Sequence, residues 1–188
     1  MPVTRLLYVL PPVLIQIAAF AYAILSRLAY VLFVGVALKR EHREPGEFRR
    51  FRRVAAVVMN NDAIAFILLC LLTPNTLSLP ISTTVSVITG AALVIVGLGT
   101  KLWAARTLGS DAYYWHNFFD PANARGPVAT GPYRYVANPM YSIGYLQTYG
   151  LALITRSLPG MIAAGFAHAA IITFYRIVEK PHFEQLHR

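Results

Sequence analysis

At 188 residues, with 56% of them hydrophobic, only 13% charged and a mean hydropathy of +0.51, the chain is too apolar for an ordinary soluble domain and too short for two. Its net charge of +9, from 17 Lys and Arg against 8 Asp and Glu, would suggest nucleic acid in a soluble protein; here it fits juxtamembrane charge facing anionic lipid, and no nucleic-acid partner is expected. The single Cys70, in a leucine-rich run, rules out a disulfide framework and a cysteine-based metal site.

The N-terminus lacks a basic n-region and a small-residue cleavage site, so the chain from Leu6 reads as mature membrane segment. Apolar runs of spanning length follow at about 12–38, 54–72, 85–105, 139–155 and 159–178. The predicted fold is therefore all-α, a single transmembrane domain over residues 1–188 with about five transmembrane helices. Asn138 and Pro139 are placed to open the fourth helix, as N-cap and first helical position. Pro159 marks a tight reversal, so the last two spans form a C-terminal helical hairpin.

Charge sets an expected orientation. The loop after the first span holds Lys39, Arg40, Arg43, Arg49, Arg50, Arg52 and Arg53, whereas residues 73–84 hold no charge. The positive-inside rule makes the first loop cytoplasmic and the N-terminus external. Residues 106–138 and the C-terminal tail then lie on the cytoplasmic side, and only Arg5 and Arg156 face outward. Glu41, Glu44 and Glu47, interleaved with the arginines, are compatible with a surface helix over 39–53. The excess of arginine over lysine and the abundance of alanine suggest a GC-rich bacterial genome, hence a bacterial cytoplasmic membrane.

The most informative stretch is Gly131-Pro-Tyr-Arg-Tyr-Val-Ala-Asn-Pro-Met-Tyr141, a polar, turn-rich run set against an apolar helix. Such backbone persists beside a bilayer where it builds a site. Turns at Gly126-Pro127 and Gly131-Pro132 leave main-chain groups free for a ligand. On the same side of the membrane lies the end of the last span, Tyr175-Arg-Ile-Val-Glu-Lys-Pro-His182.

Gly131 to Tyr141, followed by Gly144, resembles the GPYR-x-V-R-H-P-x-Y-x-x-G signature of the isoprenylcysteine carboxyl methyltransferase and phospholipid methyltransferase superfamily. Arg106-Thr-Leu-Gly109 is similar to its R-x-L-G segment, and Arg176-Ile-Val-Glu-Lys-Pro181 to its R-I-x-x-E-E-P. The likeness covers roughly residues 90–188. It implies a small helical membrane enzyme that transfers a methyl group from S-adenosylmethionine to a lipid-like acceptor admitted from the bilayer, either a phospholipid amine or an isoprenylcysteine carboxylate. By the same resemblance Gly131, Tyr133, Arg134, Tyr135, Asn138, Pro139 and Tyr141 line the cofactor pocket, and Arg176 and Glu179 close it. An amine acceptor needs a base, for which His116, Asp111 and Glu179 are the nearest candidates. The run 113–119, Tyr-Tyr-Trp-His-Asn-Phe-Phe, reads either as the acceptor's entrance or as an aromatic belt at headgroup depth.

Two positions depart from the pattern: Ala137-Asn138-Pro139 stands where the family has R-H-P, and Lys180 replaces the second glutamate. The chain also stops at His187-Arg188, where relatives continue through F-G-x-x-Y. Alternative readings are an NADPH-dependent membrane reductase of the steroid 5-alpha-reductase type and a non-catalytic protein of the same fold. The basic loop and exposed apolar helices permit a dimer, and the oligomeric state is open.

Ionisable residues within the spans complete the reading. Arg27 lies 11 residues from the cytoplasmic end of the first span and Asp62 lies 8 from that of the second, which brings both near mid-membrane. They are expected to pair, with Asn60 and Asn61 helping. The plain role is an ion pair joining two helices; the other is a lining for the acceptor cavity. Gln147 and His168 are expected to join the last two spans by hydrogen bonds, and Cys70 to act as a small packing residue. No cluster has metal-ligand spacing, so no metal is expected.

Overall fold

Among the described residues, four helices long and apolar enough to cross a membrane carry the architecture: α1 (Pro12–Leu38), α2 (Glu47–Leu72), α3 (Thr83–Leu108), and a last one that begins as α6 (Leu158–Phe174) and continues to Gln185. At 1.5 Å per residue α1 is about 40 Å long, enough to cross a hydrocarbon core of about 30 Å. Between α3 and α6 lie the short α4 (Ser110–Tyr113) and α5 (Leu146–Ile154); α7 (Lys180–Gln185) is the last described element. The computed structural model describes residues 11–40, 46–121 and 128–185. Leu6, Arg5, Glu41, Arg43, Glu44, the Gly126-Pro127 turn and His187-Arg188 lie outside the described residues.

Local chemistry explains where the helices start. The Ser82 hydroxyl accepts from the Val85 amide at 3.2 Å to open α3, and Ser157 accepts from Gly160 at 2.8 Å to open α6, with Pro159 in the first turn. The outer faces are apolar: Leu32, Ile88 and Ile95 are each more than half exposed, as lipid-facing side chains must be. The all-helical integral membrane fold expected from the sequence is present.

Two expectations shift. Arg49, Arg50, Arg52 and Arg53 do not belong to a separate surface helix; they ride on the first turns of α2 itself, which starts at Glu47. The fourth segment does not start at Pro139. The Asn138 side chain accepts from the Tyr141 amide at 3.2 Å, Ser142 donates its hydroxyl to the Asn138 carbonyl at 2.6 Å, and Gly144 N–H reaches the Pro139 carbonyl at 2.8 Å. These bonds close a compact turn, and Ser142, at φ −102° and ψ −92°, is off the helical path. A 3-10 turn (Ile143–Tyr145) follows, and only then the nine residues of α5, about 14 Å long and too short to span. Asn138 thus caps a turn, not a helix.

The loop after α2 and the reversal before α6 share one end of the bundle. Asn75 N–H bonds to the Thr155 carbonyl at 3.0 Å, Leu77 N–H to that of Arg156 at 2.8 Å, and the Thr73 and Ser157 hydroxyls meet at 2.6 Å. The segments after α1 and α3 and the C-terminal end of the last helix occupy the other end, so the two sequence motifs lie on one side.

Close backbone approach joins α3 to α5. A Cβ on Gly150 would lie 2.5 Å from the Gly90 carbonyl oxygen, one on Gly90 would lie 2.6 Å from that of Gly150, and one on Gly97 would collide with the Gln147 amide. Without a hydrophobic drive in lipid, such contact between small residues is what holds helices together. Between α1 and α2, Arg27 and Asp62 form the expected ion pair at 2.6 Å. Asn61 bridges the same helices, accepting from Tyr22 and donating to Ser26, each at 2.6 Å; Asn60 instead bonds its own helix at Ala56. Cys70 is fully buried against Gly160, the packing role expected of it.

Replacing Gly150 with valine is expected to destabilise the protein by about 2 kcal/mol or more, read as a lowered thermal midpoint in detergent. Gly99→Ala, at a position with open space around it, should leave the midpoint unchanged. Equal midpoints for the two variants would remove the α3–α5 contact from the account.

Candidate active site

The last helix supplies the central group. Pro181 has no N–H to give the carbonyl of Ile177 and its ring crowds that oxygen, so the helix widens just before it into a π-turn, Tyr175–Glu179. The wider turn rotates successive side chains so that Val178 and Glu179 both face inward, at 9% and 6% exposure, while Arg176 and Ile177 face out.

Two residues from distant segments meet Glu179. Tyr141 donates its phenol to Oε1 at 2.6 Å, and Trp115 donates its indole Nε1–H to the same oxygen at 2.6 Å. Trp115 holds a left-handed backbone, φ 58° and ψ 34°, which is uncommon for a bulky residue and is found where surrounding structure enforces it. Its ring packs edge-on to Phe51 and Phe174. His168 fixes Tyr141 from behind: its Nε2 lies 2.9 Å from the Tyr141 carbonyl, its Nδ1 3.1 Å from the Tyr149 hydroxyl, and its ring stacks on Tyr145. His168 therefore joins the last two spans as expected. The Tyr133 hydroxyl is buried with no hydrogen-bond partner among the described residues. Burial, and then the charge of Glu179, push its phenol above the usual tyrosine value, so it stays protonated and able to donate.

Tyr141 and Trp115 form part of the wall of a cavity of about 430 Å³ that runs into the bundle, bounded also by Tyr30, Arg27, Asp62 and Lys101. Arg27 packs its guanidinium over the rings of Tyr30 and Tyr145, at 5.2 and 5.9 Å from their centroids. The ion pair thus does both things open to it, linking α1 to α2 and lining a cavity. Gln147 also lines this space.

The expected site residues separate into three groups. Tyr133, Tyr141 and Glu179 come together. Gly131, at φ 56° against Thr107, and Asn138 and Pro139 build the turn that carries them. Arg134, Tyr135 and Arg176 are exposed, Tyr135 at 74%, and none of them lines the cavity. His116 is not in the cavity wall; it packs edge-on to Phe48 at 4.6 Å. Asp111 is exposed, paired with Arg52 at 2.9 Å. Sequence reasoning missed Trp115 as an individual residue and Lys101 altogether. Lys101 carried a readable signal, a lone cation within an apolar run; the left-handed turn that aims Trp115 carried none.

Residues 85–188, more than half of the chain, match the family described as phospholipid methyltransferase. Among curated proteins, the phosphatidylethanolamine N-methyltransferase of Clavispora lusitaniae is 30% identical over 145 residues, covering 73% of this chain and 17% of its own length. That of Schizosaccharomyces pombe is 36% identical over 96 residues, covering 51% of this chain and 10% of its own. The chain therefore spans less than a fifth of either relative. No solved structure matches. A match over more than half the length, falling on the segments that meet at Glu179, makes this chain a member of the phospholipid methyltransferase family.

Proposed function

We propose that the protein is an S-adenosylmethionine-dependent methyltransferase acting on the amine of a membrane phospholipid. The observation that carries this reading is the convergence of Tyr141 and Trp115 on one oxygen of Glu179 at the wall of a cavity within the bundle. The similar yeast proteins are named for phosphatidylethanolamine N-methylation, which favours an amine over an isoprenylcysteine carboxylate. The basic residues after α1 lie at the same end as the site, which favours a cytoplasmic site and an external N-terminus.

The residues present fit such a donor. Glu179 accepts hydrogen bonds as a ribose or amino group would require, and the unpartnered Tyr133 hydroxyl offers one more polar contact beside it. Arg134 and Arg176, exposed on the segments that carry Tyr133 and Glu179, are suited to a carboxylate. When bound, the donor supplies a methyl group already activated on a sulfonium. The chain's task is alignment of the acceptor and removal of its proton. Tyr30 and Tyr145 already carry the Arg27 guanidinium, which leaves the Trp115 ring on this wall to favour a cationic headgroup, drawing the ammonium toward the Glu179 end. Of the three candidate bases only Glu179 bonds to cavity-lining residues, and it is the group assigned to take the ammonium proton.

Glu179→Ala and Tyr141→Ala are each expected to weaken S-adenosylhomocysteine binding about tenfold or more in calorimetry on detergent-purified protein, with membrane insertion intact. Unchanged affinity in both would misplace the pocket, and binding of NADPH instead would favour the reductase reading. His116→Ala should leave transfer within about twofold of the parent, since its ring packs on Phe48 outside the cavity. Incubating membranes with a labelled methyl donor should place label on N-methylated phosphatidylethanolamine in the lipid extract; label absent from the lipid fraction would end the proposal.

A further inference from the structure

A second recess lies against the cavity. A side groove of about 560 Å³ shares Leu98, Lys101, Tyr113 and Gln147 with the main cavity, so these residues stand on a common wall. The groove runs between α3 and α4, and Leu98 and Leu102 on its edge are 43% and 49% exposed on the face turned to lipid. Arg106 lines it nearer the end of α3. Lys101 lies seven residues before Leu108, about 10 Å from the end of α3 and within its apolar run.

Charge on the wall is unbalanced. Arg27 and Lys101 face the cavity with one carboxylate, Asp62, between them, and Asp62 is engaged by Arg27 at 2.6 Å. Lys101 makes no hydrogen bond or ion pair with any described residue. Glu179 lines neither the cavity nor the groove, so Asp62 is the carboxylate that Lys101 feels. The Nε of Arg27 is buried without a hydrogen-bond partner among the described residues. An ammonium at this depth is costly unless something anionic meets it, and lipid tails offer nothing.

We infer that Lys101, backed by the Arg27–Asp62 pair, is the seat of the phosphodiester of the phospholipid acceptor, which enters sideways through the groove between α3 and α4. The naming of that lipid as the acceptor rests on the proposed function; the phosphodiester seat does not. The arrangement is chemically economical. A phosphoethanolamine carries its ammonium two carbons beyond the phosphate oxygen, so a phosphate held at Lys101 lets the amine extend past Tyr30 toward the Tyr141 end of the same cavity. The acyl chains then lie along Leu98 and Leu102 without leaving the bilayer. Lys101 is a positioning residue in this scheme, and it selects for phospholipid against uncharged lipid.

The test titrates the full chain, purified in an uncharged maltoside detergent, with dihexanoyl-phosphatidylethanolamine, dihexanoylglycerol and inorganic phosphate. The parent should bind the phospholipid and neither of the others comparably. Lys101→Met should weaken phospholipid binding about tenfold, Lys101→Arg should restore most of it, and S-adenosylhomocysteine affinity should be unchanged in both. Restoration by arginine separates lost recognition from lost folding. Phospholipid binding untouched by Lys101→Met, or equal binding of dihexanoylglycerol by the parent, overturns the inference. Equal binding of inorganic phosphate overturns the lipid source, and a parallel loss of S-adenosylhomocysteine binding reassigns Lys101 to the donor. If the parent transfers no methyl group yet binds phospholipid through Lys101, the functional reading falls and the phosphodiester seat stands. Transfer with binding indifferent to Lys101 gives the reverse.

Discussion

A carboxylate enclosed at the edge of a bilayer needs hydrogen-bond donors close by, and much of the site-bearing end of this protein is arranged around supplying them to Glu179. Its donors come from Trp115, 64 residues away in sequence, and Tyr141, 38 away, both onto one oxygen. Each donor is itself held. Trp115 sits in a left-handed conformation costing on the order of 1–3 kcal/mol, which only tight packing by Phe51 and Phe174 sustains. Tyr141 is pinned by the Asn138 turn at its amide and by His168 at its carbonyl. Glu179 faces inward because the helix widens ahead of Pro181.

The rest of the bundle is built on a different principle. Away from the site, α3 and α5 touch backbone to backbone through Gly90, Gly97 and Gly150, and the opposite end is closed by hydroxyl and main-chain bonds among Thr73, Asn75, Thr155 and Ser157. Irregular backbone occurs at both ends: Asn75 and Arg156, at φ 58° and 50°, turn the chain at the far one, and Trp115 and the turns over 139–145 shape the site-bearing one. The short α5 links the two regimes. Because residues 139–145 are spent on turns that present Tyr141 and Tyr145, the helix covers only part of the membrane depth, and its start, at Gln147 and Thr148, borders the cavity.

Where physics acts through composition, the sequence was readable: the helical class, the Arg27–Asp62 pairing across two spans, the hairpin at Pro159, and the joining role of His168. Each follows from the cost of burying an apolar or ionisable group in lipid, which depends on residue type and depth alone. The misses have another origin. Asn138-Pro139 reads as a helix start in isolation, but the side-chain and hydroxyl bonds of Asn138 and Ser142 close a turn first, and nothing in periodicity distinguishes the two. His116 and Trp115 are neighbours in an aromatic run, and which one faces the cavity is set by a single φ angle. That Arg134, Tyr135 and Arg176 are exposed while Tyr133, Tyr141 and Glu179 turn inward is visible only in the fold.

The two kinds of chemistry in the site also come from different parts of the chain. Trp115, Tyr133, Tyr141 and Glu179 all fall within residues 85–188, the stretch that matches the family. Arg27, Tyr30 and Asp62 come from α1 and α2, before that stretch begins. On the proposed reading the matched half holds the methyl donor, and the earlier helices close the far wall of the acceptor's chamber, with Lys101 on the wall shared with the groove. Donor binding and acceptor choice are then separable: substitutions at Arg27 or Asp62 can reshape the lipid chamber without removing a hydrogen bond to Glu179. Because α1 and α2 are themselves tied by the Arg27–Asp62 pair, the chamber's charge and its architecture cannot change independently, which restricts which lipids such a wall can come to accept.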